Sequence, residues 1–164
     1  IQLIIIGAGH DAIPLAEMAD QLGWIVRVLD HRASYLEPDR FPQDAHLVLG
    51  QPHKTLFDQM IDPLTAIVLM SHSLEIDRQV LAHLPNSNAF YCGLLGPLRR
   101  TKRLLEETGV SADLIHGPVG LDLGAEDPSE IALSIISEIL MVRNRASGKQ
   151  LNGNSSIHSV SSSI

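Results

Sequence analysis

Cysteine, positive charge and long apolar runs are all scarce in this sequence. Its single cysteine, Cys92, excludes an internal disulfide and is consistent with a reducing compartment. The formal net charge of −7 argues against a surface for nucleic acid or another polyanion. No apolar run reaches the roughly 18 residues of a membrane span, and no basic segment precedes the opening apolar stretch as in a signal peptide. We therefore expect a soluble, cytoplasmic protein that binds neither nucleic acid nor a membrane.

The length of 164 residues fits one domain with a real core. We assign residues 1–146 to that domain. Residues 147–164 are rich in serine, with glycine and asparagine and almost no charge, and are expected to be disordered unless a partner holds them. A strand that starts close to a first residue other than Met suggests a fragment, or a domain of a longer protein.

The first twelve residues predict a buried strand that enters a glycine turn and opens a helix. Gly7 permits the tight turn, Gly9 lets backbone N–H groups approach a pyrophosphate, and Ala12 replaces the third glycine, where a small residue suffices. The positive end of the following helix would then face that charge. Asp30 closes a second predicted strand 23 residues after Gly7, where a ribose-binding acid is expected. A bland glycine-rich turn is the alternative, but the flanking strand and helix favour a Rossmann-like βαβ unit.

Strand and helix patterns alternate along the rest of the chain. We predict an α/β fold with a Rossmann-like, doubly wound parallel sheet, about six strands in three α/β/α layers. Strands are assigned to residues 3–6, 24–29, 46–49, 66–70 and 89–94, and helices to residues 11–22, 54–60, 74–84 and 99–108. Pro38 and Pro42 exclude a regular element from residues 30–44. Cys92 is interpreted as a small buried hydrophobe, with a reactive or ligating thiol as the alternative.

The last predicted helix has a clear start and a broad apolar surface. Asp127 offers an N-cap, Pro128 the first helical position, and Glu130 a side chain that can reach back. Between Ile131 and Val142 the apolar residues cover more than one face. This pattern predicts a helix that is deeply buried, that forms a homodimer, or that packs on a missing N-terminal domain.

Ligands of a doubly wound sheet bind beyond the carboxyl ends of the strands, so residues just after each strand are the candidates. Asp30 would accept hydrogen bonds from an adenosine ribose, whereas Arg32 would favour the 2′-phosphate of NADP or be a solvated loop charge. His10 and His72 are expected at one rim, as ligand contacts, as acid–base groups or as locally bonded loop residues. The other candidates at strand ends are Ser71, Gly93 and Gly96. No metal site is assigned, because two histidines without a nearby cysteine or carboxylate are poor evidence for one.

Two further segments favour an anionic ligand. The first turn of one predicted helix is crowded with the cations Arg99, Arg100, Lys102 and Arg103, which oppose the helix dipole. A phosphate would compensate them through bidentate arginine contacts, and the alternative is a solvated basic face. The glycine-rich segment 116–125 includes Gly120 and the carboxylate of Asp122, and is interpreted as a ligand loop or as a plain turn.

Seven short segments form an ordered set along the chain. They are Gly7-Ala8-Gly9-His10, Asp30-His31-Arg32, Arg40-Phe41-Pro42, Ser71-His72 with Asp77, Gly93-Leu94-Leu95-Gly96, Arg99-Arg100 and Gly120-Leu121-Asp122-Leu123-Gly124-Ala125. The set resembles the XdhC/CoxI family of accessory factors for xanthine dehydrogenase and carbon monoxide dehydrogenase. The resemblance spans about residues 3 to 145 and covers the family's C-terminal Rossmann domain, without the cysteine-bearing module that usually precedes it. Pro97 and Leu98 depart from the family's Ser-Arg, and Ser71 replaces its commoner Thr.

The resemblance implies a maturation role. The protein would bind the molybdenum cofactor, a phosphate-bearing pterin or its dinucleotide form, protect it, assist its sulfuration and deliver it to an apo molybdenum hydroxylase. The glycine turn and the arginines would hold the cofactor's phosphates or a pyridine nucleotide, NAD(P). Two other functions stay open: an NAD(P)-dependent oxidoreductase with His10 or His72 as the acid–base group, and a nucleotide-sensing domain that dimerises through the last helix. The lack of an evident substrate domain counts against the oxidoreductase.

Overall fold

Five parallel strands form the centre of the structure, a computed structural model that describes residues 1–152. The strands are β1 (Gln2–Ile6), β2 (Ile25–Asp30), β3 (His46–Leu49), β4 (Thr65–Leu69) and β5 (Tyr91–Leu94). They lie in the order β3-β2-β1-β4-β5, and every neighbouring pair is parallel. Since β1 pairs with β2 on one side and with β4 on the other, the switch in strand order falls between β1 and β4. The predicted Rossmann-like sheet is confirmed.

Five helices cover the two faces of the sheet. They are α1 (Ala12–Gln21), α2 (Pro52–Thr55), α3 (Leu74–Leu81), α4 (Leu98–Thr108) and α5 (Pro128–Asn144). Helices α1 and α5 pack together on one face, and α3 packs against α2 and α4 on the other. Side chains of β1 alternate between the two cores, with Leu3 and Ile5 in one and Ile4 and Ile6 in the other, all fully buried. Burial of each such side chain contributes about 1.5–3 kcal/mol to the stability of the fold, so β1 holds the turn that follows it in a fixed position.

The sixth strand is reduced to one bridging residue. His116 forms an isolated parallel bridge with Gly93, its N–H donating to the Cys92 carbonyl and its carbonyl accepting from the Leu94 N–H, each at 2.8 Å. The ladder cannot continue along the next residues, because Pro118 has no N–H to donate. Within residues 1–152 the sheet therefore has five strands rather than the expected six or so.

Several predicted helix ends are confirmed. Asp127 accepts hydrogen bonds from the N–H groups of Ser129 and Glu130, and the Glu130 carboxylate accepts from the Asp127 N–H, which completes a capping box. Gly109, with φ of 68°, ends α4 in the left-handed conformation. Of the alternatives for the last helix, deep burial applies to one side only, since α5 buries Ile135 and Ile139 but leaves Leu133 52% exposed.

Other boundaries differ from the prediction around prolines. The helix expected at residues 54–60 starts at Pro52 and passes at residue 56 into a 3-10 turn, Leu56–Asp58. The loop 30–44 contains two 3-10 turns, Ala33–Tyr35 and Pro38–Arg40. Pro38 begins the second, because proline is compatible with the first position of such a turn. Helix α3 ends at Leu81 rather than at residue 84, and a further 3-10 turn follows at Leu84–Asn86.

The remaining structural predictions concern burial and the end of the chain. Cys92 is buried, as predicted, and burial raises the pKa of its thiol. Residues 146–152 form neither helix nor strand, and residues 153–164 of the predicted serine-rich tail lie outside the described residues. Within residues 1–152 no helix has the length and apolar character needed to cross a membrane.

Candidate functional site

The glycine turn joins β1 to α1 at the carboxyl edge of the sheet. Gly7 has a φ of 105°, and a Cβ there would lie 2.6 Å from the carbonyl oxygen of Met70 and 2.7 Å from the Cα of Ser71. A Cβ on Gly9 would meet only the His72 ring, with Nε2 3.7 Å away. Gly7 is therefore required by the fold, because the end of β4 presses against it, whereas Gly9 keeps open a surface that a ligand could approach.

Backbone donors of this turn remain available for an anion. The N–H groups of Ala12 and Ile13 donate to the carbonyls of Gly9 and His10. Among the described residues, no hydrogen bond uses the N–H groups of Gly9, His10 or Asp11, and the Asp11 side chain makes no capping bond to α1. Free N–H groups at the positive end of a helix are the usual donors for phosphate or carboxylate.

Two histidines lie at the same rim of the sheet, since they follow the neighbouring strands β1 and β4. His10 is exposed on the turn itself. The Nε2 atom of His72 lies 3.5 Å from the Asp11 carboxylate, with the imidazole 64% exposed. His72 has a φ of 56°, a left-handed conformation that costs a non-glycine residue about 1–2 kcal/mol. With this backbone conformation the imidazole lies beside Gly9.

Asp30, the predicted ribose acceptor, is covered by the protein itself. Its carboxylate accepts the Ala8 N–H at 2.8 Å, the Arg32 N–H at 2.9 Å, and Nε and Nη2 of Arg32 at 3.0 and 2.8 Å. The side chain is 1% exposed. Burial by itself would raise the pKa of Asp30, but the hydrogen bonds from the Arg32 guanidinium and the two N–H groups outweigh it and lower the pKa from 3.8 to about 2. Asp30 is thus a permanent anion that ties the turn to the end of β2.

Arg32 lies beside Asp30 and is the more exposed of the two, at 35% against 1%. Its guanidinium stacks on the Tyr35 ring at 3.8 Å, and the hydrogen bonds that it donates to Asp30 raise its pKa further above the usual value. Arg40 lies on the same tyrosine, 5.4 Å from the ring centroid, and donates to the Tyr35 carbonyl. One edge of the Arg32 guanidinium is therefore bound to Asp30 and one face to Tyr35, while the side chain is 35% exposed.

A basic cavity of about 480 Å³ opens between the first turns of α3 and α4. It is lined by Leu74, Pro97, Arg99, Arg100 and Arg103. Helix α4 has no side-chain cap at its start, so its first N–H groups add to the positive potential. Arg99 has no acidic partner among the described residues, while Arg103 pairs with Glu107 at 2.7 Å on the exposed helix surface. The cavity has the charge and the room for the compensating anion that the crowded arginines led us to expect.

Arg100 differs from its neighbours because it is bound to a buried acid. Its Nη2 lies 2.6 Å from Oδ2 of Asp77, and the Ser71 hydroxyl lies 2.5 Å from Oδ1 of the same carboxylate. Burial raises the pKa of Asp77, and the hydrogen bonds from Ser71 and Arg100 oppose that rise. Arg100 Nε is buried without a hydrogen-bond partner. The predicted contacts Ser71 and Arg100 are therefore linked through Asp77, which positions Arg100 at the cavity wall.

A second cavity, of about 330 Å³, lies beside the start of α5. Gly96 and Asp122 line it, together with other residues of the segment 118–125. Gly120, with φ of 104°, packs against the Ser134 hydroxyl, and Gly96, with φ of 129°, packs against the Arg100 side chain. Gly93 lies inside β5, where Val119 and Tyr91 occupy the space of a side chain. Packing thus explains the glycines at 93, 96 and 120, while Asp122 borders the cavity.

Glu138 was not predicted, yet it ties helix α5 to β5, to His116 and to the backbone at Gly120. Its carboxylate accepts the Tyr91 hydroxyl at 2.6 Å and the Gly120 N–H at 2.8 Å, and lies 3.3 Å from His116 Nδ1. Burial would raise the pKa of Glu138, but hydrogen bonds from His116, Tyr91 and Gly120 lower it. The Tyr91 and His116 rings stack with centroids 4.5 Å apart. A helical pattern did carry a signal, because an acid at 138 shares the buried face of Ile135 and Ile139.

The described residues bring the candidates together unevenly. The glycine turn, Asp30, Arg32 and His72 lie at the carboxyl ends of the neighbouring strands β2, β1 and β4. Leu74, two residues after His72, lines the basic cavity. No group of three or more histidine, cysteine or acidic side chains that could hold a metal ion occurs within residues 1–152. The arrangement offers positive charge and backbone donors at several points, which suits an extended ligand with phosphate groups.

Comparison with known proteins gives one family and several relatives. The family model described as the XdhC Rossmann domain matches residues 3–139. The chain is 38% identical over 144 residues to a probable xanthine dehydrogenase subunit of Bacillus subtilis, covering 88% of the chain and 43% of that protein. It is 30% identical over 149 residues to the molybdenum cofactor insertion chaperone PaoD of Escherichia coli, covering 87% and 40%. The chain therefore spans less than half the length of these curated relatives.

Solved structures agree with the fold. A crystal structure described as a xanthine dehydrogenase from Bacillus halodurans has 32% identity and a TM-score of 0.81, covering 93% of this chain and 45% of that one. A Rossmann-fold NAD(P)-binding family protein from Shigella flexneri has 13% identity and a TM-score of 0.54, covering 90% and 88%. At that identity the second match supports the Rossmann fold alone.

Proposed function

Because the chain belongs to the XdhC Rossmann-domain family, we propose that it is part of a maturation factor for a molybdenum hydroxylase and binds a phosphate-bearing cofactor in its cleft. Its relatives support an accessory role in xanthine dehydrogenase systems, and one of them is named as a chaperone for molybdenum cofactor insertion. The ligand would be the molybdenum cofactor, as a pterin monophosphate or its dinucleotide form, or else a pyridine nucleotide.

The basic cavity is the single observation that carries this proposal to a ligand. Three arginines line about 480 Å³ in a chain of net charge −7, and one of them, Arg100, has a buried Nε without a partner. A phosphate would supply acceptors for these donors, and Leu74 and Pro97 would pack against the face of the cofactor's ring system. The open N–H groups of the glycine turn are further donors that a phosphate of a bound cofactor would use. The described residues thus fit the phosphate portion of such a cofactor.

The binding role of the cavity is tested with charge-matched variants of α4. We expect Arg99→Ala and Arg103→Ala each to weaken binding of the molybdenum cofactor about tenfold or more, the usual loss for a charge-assisted hydrogen bond. Lys102→Ala removes the same charge from the same helix, but Lys102 is exposed and does not line the cavity, so its affinity stays near wild type. Equal losses of affinity in all three variants would mean that only the net charge of α4 matters, and would contradict specific binding in the cavity.

The maturation role itself needs a transfer assay. The protein loaded with molybdenum cofactor is mixed with an apo molybdenum hydroxylase, and recovered hydroxylase activity is compared with that given by the free cofactor. Faster or fuller activation by the loaded protein supports delivery. An absence of cofactor binding at micromolar concentration, or activation no better than with free cofactor, would refute it.

Helix α5 is the proposed contact with a second copy or another domain. It leaves Leu133 52% exposed, and Leu123 on the loop that precedes this helix is 53% exposed. We propose that these side chains are covered in a homodimer or by another domain of the maturation factor. Sedimentation of wild type and Leu133→Glu would test the homodimer, which requires the wild type to be dimeric and the variant monomeric.

A further inference from the structure

Asp30 at the end of β2 suggests a hydrogen-bond acceptor for a ribose, but the structure presents the guanidinium of Arg32 there, which is a donor. A carboxylate has about four lone-pair positions, and Asp30 uses four of them on Ala8 N–H, Arg32 N–H and two guanidinium N–H groups. Asp30 is almost completely buried. A ribose hydroxyl that donates a hydrogen bond would therefore find no free acceptor on Asp30 unless Arg32 moved away.

Arg32 is the group that a nucleotide would meet instead. The Ala8 N–H donates directly to Asp30, so the carboxylate lies against the glycine turn, and the guanidinium lies on the outer side of that carboxylate. Two of its five N–H groups are used on Asp30, which leaves three for another acceptor. Its stack on Tyr35 keeps those N–H groups in place, and Arg40 on the same ring adds positive charge.

We propose that Arg32 determines ligand specificity at the end of β2, selecting a phosphate monoester at the sugar position of a nucleotide over an unmodified ribose diol. The inference rests on the proposed function, since it concerns the same cleft. A phosphate accepts charge-assisted, bidentate hydrogen bonds from the free edge of the guanidinium, whereas a ribose hydroxyl offers one neutral acceptor. A ligand with the phosphate therefore gains more at this position than one with the diol.

Two isomeric ligands isolate this effect. 2′,5′-ADP and 5′-ADP carry the same atoms and the same number of phosphates, and differ in whether one phosphate sits on the 2′ position. Calorimetry on the full chain should give an affinity for 2′,5′-ADP about tenfold or more above that for 5′-ADP, as expected for charge-assisted bonds. NADP and NAD form a second pair with the same expected order. Equal affinities, a preference for 5′-ADP, or no binding of either isomer at millimolar concentration would overturn the proposal.

Variants then assign the preference to one side chain. In Arg32→Ala the preference for 2′,5′-ADP over 5′-ADP should disappear, and in Arg32→Lys it should fall without disappearing, because the charge stays and the planar fork is lost. Lys102→Ala removes a cation of α4 that lines neither the basic cavity nor the end of β2, and should leave the ratio of the two affinities unchanged. Circular dichroism checks the fold of each variant. A ratio that persists unchanged in a folded Arg32→Ala protein, or in Arg32→Lys where the alanine variant does not fold, would contradict the assignment.

A pterin cofactor also carries a phosphate monoester, so a separate experiment must show whether the phosphate bound by Arg32 belongs to a pterin or to a pyridine nucleotide. Molybdopterin released from a denatured molybdoenzyme is titrated against bound 2′,5′-ADP. Displacement that depends on Arg32 would assign the phosphate at this position to the pterin, and displacement by NADP alone would assign it to a pyridine nucleotide. Failure of the transfer assay described above would leave the isomer preference intact, so the two proposals can fail separately.

Discussion

Replacement of Asp30 by asparagine should destabilise the protein by an amount that depends on pH in a defined way. The fall of the Asp30 pKa from 3.8 to about 2 corresponds to about 2–3 kcal/mol of stability at neutral pH. Because the folded-state pKa is depressed, this contribution is fully present above the unfolded pKa of 3.8 and is lost as the pH falls through about 2. About half of it remains at pH 3. Asparagine cannot supply it, since its amide would place a donor against the donors of Ala8 and Arg32.

Urea unfolding of wild type and Asp30→Asn at pH 7 and pH 3 measures this contribution. We expect a loss of about 2–3 kcal/mol at pH 7 and roughly half that loss at pH 3. Asp20→Asn is the matched control, since Asp20 is exposed on α1 and its side chain makes no ion pair among the described residues. The reasoning is refuted if Asp30→Asn costs less than about 0.5 kcal/mol at pH 7, the range of an ordinary surface substitution, or if the loss is the same at both pH values.

Three further predictions follow from the same structure. Gly7→Ala should lower the free energy of unfolding by at least about 2 kcal/mol, because its φ is 105° and its Cβ would strike the end of β4, whereas Gly9→Ala should stay within about 0.5 kcal/mol of wild type and weaken cofactor binding. Thermal unfolding and calorimetry separate the two, and equal stability losses would contradict their distinct roles. Glu138→Gln should cost about 1.5–3 kcal/mol by urea unfolding through weaker bonds to its three donors, and the exposed Glu126→Gln should cost nothing measurable. Cys92 should react with a thiol reagent only as fast as the protein opens, because it is 5% exposed and burial raises its pKa; rapid labelling of protein with native circular dichroism would argue against that burial.

Local sequence patterns predicted those parts of the fold that depend on neighbouring residues. The apolar run before Gly7, the Asp127 capping box and the Gly109 helix end each act within a few residues, and the structure confirms all three. The parallel sheet followed from the alternation of strands and helices. The prediction of about six strands was wrong by one. Within residues 1–152 the sixth position of the sheet holds only His116, and no apolar run marks a strand there.

The site depended more on contacts that a linear pattern does not contain. Asp77 and Arg100 are 23 positions apart and meet only because α3 packs against α4. The bond between Asp30 and Arg32 could have been predicted from the sequence, because side chains two residues apart at the end of a strand point to the same side. A search for an acid with a nearby base would have found that pair. In the structure Asp30, the expected ribose acceptor, binds the arginine two residues after it.

The single bridge at His116 also affects how copies of this chain could associate. A sheet grows by adding a strand to an edge with unpaired N–H and C=O groups. On the β5 edge, His116 takes up the Leu94 N–H and the Cys92 carbonyl, and the other edge is β3, only four residues long. Neither edge offers a long template for strand addition. Fibrous, edge-to-edge aggregation is therefore disfavoured by the fold, and contacts between copies are left to the helices and loops.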